Sequence, residues 1–211
     1  MTGDAFHRAT LTTIDPAAVP DEALLCRYLN GDKSAFATLV RRYERELFHF
    51  LIRFLGDRAA AEDVFQEAFL QVHESAATFD LTRRFRPWLF TIAANKGRDL
   101  LRSRSRHPAR PLDASPDGFE GEGQYIDLLQ AAGSLPDEPA QREELNGLVH
   151  RTIGELPPNL REVLLLGYFH EFPYKQIADM LKIPVGTVKS RLHSAVGQFA
   201  ARWELARRRE R

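Results

Sequence analysis

The stretch KSAFATLVRRYERELFHFLIRFLG, residues 33–56, narrows the possible folds more than any other part of the chain. Phe36, Leu39, Val40, Tyr43, Leu47, Phe50, Leu51 and Phe54 recur at steps of three and four, the spacing of one buried face on an α-helix. A stripe this long needs partner helices of its own kind. The flanks supply them. DEALLCRYLNG reads as a short helix stopped by Gly31, and Asp32 is placed to cap the next one. Gly56 closes the long helix, and Asp57 is placed to cap RAAAEDVFQEAFLQVHESAATF. A fourth helix is expected from about Pro87 to Ser103, with Pro87 tolerated in its first turn.

The periodicity then fails. Residues 105–139, SRHPARPLDASPDGFEGEGQYIDLLQAAGSLPDEP, are rich in Pro, Gly, Ser and acid and read as a linker, with one helical turn at Tyr125 to Gln130. Helical spacing returns at Ala140, through QREELNGLVHRTIGEL and PPNLREVLLLGYFHEF. No strand-like alternation and no internal repeat occurs. The expected fold is all-α: two small helical domains, 21–104 and 140–205, joined by a flexible acidic linker. Residues 1–20 read as a loose tail and 206–211 as a basic one.

The formal net charge is zero, but it is unevenly spread. Residues 102–112 carry four arginines and no acid; residues 113–147 carry nine acids and one base; residues 148–211 carry eleven bases and six acids. A basic–acidic–basic order bears on partners more than the sum does. Cys26 is the sole cysteine, which rules out an internal disulfide and fits a reducing compartment; Leu24 and Leu25 beside it suggest a buried filler. No apolar run reaches the roughly 18 residues that span a bilayer, and the N-terminus lacks a basic region followed by an apolar block. The expectation is a cytoplasmic protein without membrane insertion. Nothing suggests an enzyme or a cofactor: the seven histidines are scattered, and no Cys-x-x-Cys, His-x-x-x-His or Gly-rich phosphate loop occurs.

Near the C-terminus, YKQIADMLKIPVGTVKSRLHSAVGQF has the spacing of two helices across a short turn. Ile177, Ala178 and Leu181 line one face of the first; Val185, Val188, Leu192 and Val196 line one face of the second. Such faces pack at an angle in a helix-turn-helix. The other side of the second helix shows Thr187, Lys189, Ser190, Arg191, His193 and Ser194, donors and cations suited to bases and phosphates in a major groove. A plain helical hairpin with a solvated face is the bland alternative.

Those residues carry a resemblance. LPPNLREVLLLGYFHEFPYKQIADMLKIPVGTVKSRLHSA resembles region 4 of bacterial sigma factors of the sigma-70 family, in the small extracytoplasmic-function (ECF) type. Independently, AEDVFQEAFLQVHE resembles region 2.2, and FRPWLFTIAANKGRDLLR resembles regions 2.3 and 2.4. The resemblance spans residues 21–104 and 141–205 and is specific through the order of the two blocks. It implies a subunit that joins core RNA polymerase, meeting its beta-prime clamp helices and beta flap, and directs it to promoter DNA. A neutral total charge suits a protein that delivers a larger basic enzyme to DNA.

By residue matching, Asp63, Gln66 and Glu67 are the implied polymerase contacts, with Val64, Phe65, Ala68, Phe69 and Val72 turned inward. His73 stands where the family often has Trp, a change expected to alter local packing. Phe79 and Asn95 are the implied pocket for a base flipped from the minus-10 element. For Phe79 a role as a core aromatic stays open. Arg83, Arg84, Arg86, Lys96, Arg98 and Arg102 are implied contacts to the minus-10 backbone, and Trp88, Leu89 and Ile92 are assigned to the core. Lys189, Ser190, His193 and Ser194 are the implied readers of the minus-35 element, and Thr187 and Arg191 its phosphate contacts. Two departures stand out: Lys182 occupies a turn position where relatives often have Gly, so the turn is expected to differ slightly, and Ser194 replaces a frequent Arg. The acidic linker reads either as a solubilising tether or, by resemblance, as a segment threading the polymerase channels. The family also implies an anti-sigma factor as a partner. Two rivals remain: a helix-turn-helix regulator that binds an operator without polymerase, and a sigma-like decoy that binds polymerase but melts nothing.

Overall fold

A computed structural model describes residues 19–104 and 140–209. The linker at 105–139 with its expected helical turn, the N-terminal tail to residue 18 and residues 210–211 lie outside the described residues. Among the described residues the chain is helical and holds no strand.

The first bundle contains α1 (Asp21–Leu29), α2 (Lys33–Leu55), α3 (Arg58–Ser75) and α4 (Phe85–Arg104), with a 3₁₀ turn at Ala76–Thr78. Its joints follow from local chemistry. The Asp32 carboxylate accepts from the amides of Ser34 and Ala35, and Asp57 accepts from those of Ala59 and Ala60, so both helices begin with their orphan donors satisfied. Gly56 closes α2 at φ 70°, a left-handed conformation that costs glycine little. Helix α4 begins at Phe85, two residues before Pro87, because Glu22 Oε1 accepts from the Phe85 amide at 2.9 Å and fixes that end. All eight stripe residues of α2 turn inward as expected or lie against the core, and Phe50, Leu51 and Phe54 are fully buried. Helix α4 crosses α2 closely at Gly97, where an added Cβ would meet Phe54 Cε1 at 2.8 Å.

The second bundle contains α5 (Ala140–Gly154), α6 (Pro158–Leu164), α7 (Tyr174–Leu181) and α8 (Val185–Arg209). The sequence pattern reads as one helix through GYF, but α6 passes into a π-type turn at Leu165–Phe169. There Gly167 faces α8 at close range: a Cβ would lie 3.2 Å from Leu192 Cδ2, so the leucine would have to give by a few tenths of an ångström. Val188, Leu192, Val196 and Phe199 of α8 are buried, as are Ile177, Ala178 and Leu181 of the adjoining α7. Val185 departs from the expected face. It sits in the first turn of α8 and is 39% exposed.

The two bundles pack on each other, and their buried apolar side chains form one continuous cluster. Cys26, expected as a buried filler, is half-buried at the edge of the first bundle.

Candidate nucleic-acid interface

Helix α3 carries Val64, Ala68, Phe69 and Val72 inward, while Glu62, Asp63, Gln66 and Glu67 are exposed together on the other side. Phe65 is half-buried, edge-on to Phe48 with centroids 6.4 Å apart. Exposed Leu70 extends this acidic face with an apolar contact. The face is tied to the next helix by Lys96 Nζ, 3.6 Å from Glu67 Oε2. His73 fills the far corner. Its Nδ1 pairs with the Tyr28 hydroxyl, and its ring lies edge-on to Phe36.

After α3 the chain turns sharply. The Asp80 carboxylate accepts from the Thr82 hydroxyl at 2.7 Å and the Thr82 amide at 3.0 Å, and those bonds hold it below the usual carboxylate range. The turn leaves Arg83 and Arg84 exposed. Behind them Phe79 stacks on Trp88 with ring centroids 4.3 Å apart and planes at 29°. Together with Thr78, Asp80 and Thr91, and with Gln176, Asp179 and Met180 of α7 on the other side, the two rings line a cavity of about 610 Å³. Trp88, expected in the core, is half-buried: it packs against the core and also lines this cavity, while Leu89 is buried and Ile92 half-buried. Periodicity alone cannot separate a core ring from one lining an open wall. Asn95 is exposed two turns further along α4, outside the residues lining the cavity, and its Oδ1 accepts from Arg98 Nη2.

The basic residues of this region differ in their engagements. Arg102 pairs with Asp99 at 3.1 Å. Arg86 is half-buried; its Nε donates to Glu46 Oε1 at 3.0 Å, its Nη2 donates to Glu46 and, at 2.8 Å, to the His170 carbonyl, and its guanidinium lies 4.2 Å from the centre of the Phe172 ring. His170 Nδ1 donates to Glu46 at 3.2 Å. Burial opposes a charge on both His170 and Glu46. It holds the imidazole below its ordinary range, whereas at Glu46 the bonds from His170 and Arg86 prevail and pull the carboxyl down to about 2.

In α8, Lys189, Ser190 and His193 are exposed and Thr187, Arg191 and Ser194 half-buried along one side. The turn before it is sharper than the sequence suggests: Lys182 takes the left-handed conformation, φ 54° and ψ 46°, in place of an altered turn. The Ile183 amide donates back to the Ala178 carbonyl at 3.1 Å and closes it. A β-carbon in this conformation costs about 1 kcal/mol. Arg191 shares a second cavity, about 440 Å³, with Arg98, Arg102 and Glu162. Glu162 is 2% exposed, and Arg98 Nε is 3.4 Å from its Oε1. Burial pushes its carboxyl up to about 7, against the pull of Arg98, Arg191 and Arg102.

Comparison with known proteins matches both halves of the chain. Sigma-70 region 2 matches residues 39–107, and Sigma-70, region 4 matches residues 146–198. The "ECF RNA polymerase sigma factor SigW" of Bacillus subtilis is 38% identical over 175 residues, covering 83% of this chain and 91% of that protein. The "ECF RNA polymerase sigma-E factor" of Escherichia coli K12 is 34% identical over 179 residues, covering 83% and 90%. Among solved structures, CnrH in complex with the cytosolic domain of CnrY aligns with a TM-score of 0.60 at 26% identity, covering 86% of this chain and 95% of that one.

Proposed function

The chain belongs to the sigma-70 family, in the extracytoplasmic-function type, and from that premise we propose how its surfaces divide the work. As a sigma factor it binds core RNA polymerase and directs promoter-specific initiation of transcription; the family is not one of enzymes. Residues 21–104 act as the region 2 domain and 140–205 as the region 4 domain, on a tether at 105–139.

Asp63, Gln66 and Glu67 dock on the beta-prime clamp helices, where acids projecting from a rigid helix suit a basic partner. The stacked Phe79 and Trp88 receive a base flipped out of the minus-10 element, because aromatic faces offset the cost of unstacking without regard to base identity. Arg83 and Arg84 hold the adjacent phosphates, joined by Arg86, Lys96, Arg98 and Arg102, and Asn95 contacts the strand beyond the cavity. The exposed side of α8 enters the major groove at the minus-35 element, with Lys189, Ser190, His193 and Ser194 toward base edges and Thr187 and Arg191 on phosphates. The beta flap takes the second domain. An anti-sigma factor holds the chain inactive; CnrH, aligned along most of this chain, is seen with a bound protein segment. The protein works in the cytoplasm, and among the described residues no helix is long and apolar enough to cross a membrane.

The observation that carries this reading is the aromatic cavity rimmed by Arg83 and Arg84, on the same chain as a helix-turn-helix that keeps its polar side outward. Its test is reconstitution. Purified chain mixed with core polymerase is expected to co-elute with it and give run-off transcripts from a defined set of promoters, read by sequencing. Tight operator binding without polymerase, and no transcript with it, would replace this reading with a regulator of another class.

A further inference from the structure

The second cavity, at the seam between the two bundles, has a lining that promoter contact does not explain. Arg98 and Arg102 reach it from α4 and Arg191 from α8, so three guanidinium groups meet around one space of about 440 Å³. Helices that read two separate promoter elements have no need to bring their cations together. A space of this size suits a small molecule. Arg191 is half-buried, and among the described residues its guanidinium makes no hydrogen bond or ion pair. A guanidinium in that position has donors to spare for an anion. Arg102 pairs with Asp99 at 3.1 Å where both side chains are exposed, which places it at the rim.

Glu162 lines the same cavity. Arg98 Nε is 3.4 Å from its Oε1, yet that buried oxygen has no hydrogen-bond partner. The charged groups facing it are Arg98 and Arg102 from α4 and Arg191 from α8; α7 and the turn after it bring apolar Leu181 and Ile183. Burial lets this carboxyl take a proton near neutral pH, and a carboxylic acid donates where a carboxylate only accepts. The cavity thus gathers cations and a potential O–H donor on one side. Leu101, Pro158, Leu181 and Ile183 give it an apolar side. A diphosphate offers oxygens to all three arginines, and a flat ring attached to it would cover the apolar side.

We propose that this cavity is a binding site for a nucleoside diphosphate, with its phosphates on Arg98, Arg102 and Arg191 and at the Glu162 carboxyl, and its base against Leu181 and Ile183. The site goes beyond the sigma-factor reading and stands or falls without it. Binding takes up a proton at Glu162, because an anion beside that carboxyl favours its neutral form.

Titration calorimetry on the full chain, without polymerase, DNA or divalent metal, tests it with ADP, inorganic pyrophosphate and adenosine as probes. ADP is expected to bind once per chain, about fivefold more tightly than pyrophosphate, and adenosine to give no measurable heat. Arg191→Ala is expected to weaken ADP binding by about tenfold, while Arg58→Ala, at an exposed arginine of α3 outside the cavity, leaves it within about twofold. The ratio of wild-type to Glu162→Gln affinity is expected to fall by about threefold or more from pH 6 to pH 8, since glutamine does not titrate. No ADP binding by the folded chain overturns the site. Equal weakening by Arg58→Ala and Arg191→Ala also overturns it, as a general attraction of anions to a basic surface. Pyrophosphate binding as tightly as ADP overturns the nucleoside assignment, and an affinity ratio that does not change with pH overturns the placement of phosphate at Glu162. If Arg191→Ala does not fold, Arg102→Ala, at an exposed side chain, decides in its place with the same expected loss.

Discussion

Gly97 is a point of close helix crossing in the first bundle, and its role was invisible in the sequence because a glycine within a helix pattern carries no sign of what crosses it. With Phe54 at 2.8 Å from the position of an added Cβ, Gly97→Ala must displace a buried ring. We expect a loss of about 1–3 kcal/mol, read from urea unfolding. Glu162 makes a prediction in pH. Its folded pKa, near 7, lies above the ordinary glutamate value of about 4.5, so its contribution is fully present below about pH 4.5 and is lost as pH rises through 7. Relative to Glu162→Gln, the wild-type chain should therefore lose up to about 3 kcal/mol between pH 4.5 and 8. Parallel stability curves for the two proteins would contradict the burial of that charge. Apolar residues were the legible ones: Leu89, Val188 and Leu192 lie where periodicity puts them. Val185 does not, since spacing assigns a side to a residue but not a partner to cover it.

At the scale of elements, capping was readable because it is local. Asp32 and Asp57 both bond the amides two and three residues on, as the sequence suggests. Asp57→Ala should cost about 1 kcal/mol, measured by thermal or urea unfolding, and nearly all of it through the cap, since the Arg104 partner is exposed. The π-type turn at Leu165–Phe169 was not readable, because the requirement it meets, Gly167 against Leu192, is set by a helix that arrives later in the chain. The polar face of α3 has its own test. Asp63 is exposed beside Gln66 and Glu67, so Asp63→Arg should leave the fold intact and weaken core polymerase binding by about tenfold, equivalent to about 1.4 kcal/mol. Unchanged affinity in a competition assay would remove α3 from the docking surface. Lys189→Ala should do the opposite, sparing polymerase affinity and reducing promoter use.

At the scale of the molecule, the all-α class and the helix-turn-helix were legible from spacing, and the family from the order of two motifs. The seam was not. Arg161, Glu162 and His170 look in sequence like ordinary polar positions of a helix and a turn, and all three are buried in the packed chain. A chain with a polar linker suggests bodies held apart; in the described residues they share one core. The stacked Phe79 and Trp88 of the first bundle are expected to open promoter DNA once the chain sits on polymerase. Permanganate reactivity of thymines in the minus-10 region, measured with reconstituted holoenzyme, tests it most directly. The account predicts reactive thymines with the wild-type chain and loss of reactivity with Phe79→Ala at unchanged polymerase affinity. Stable polymerase binding by the wild-type chain with every promoter thymine unreactive would contradict it.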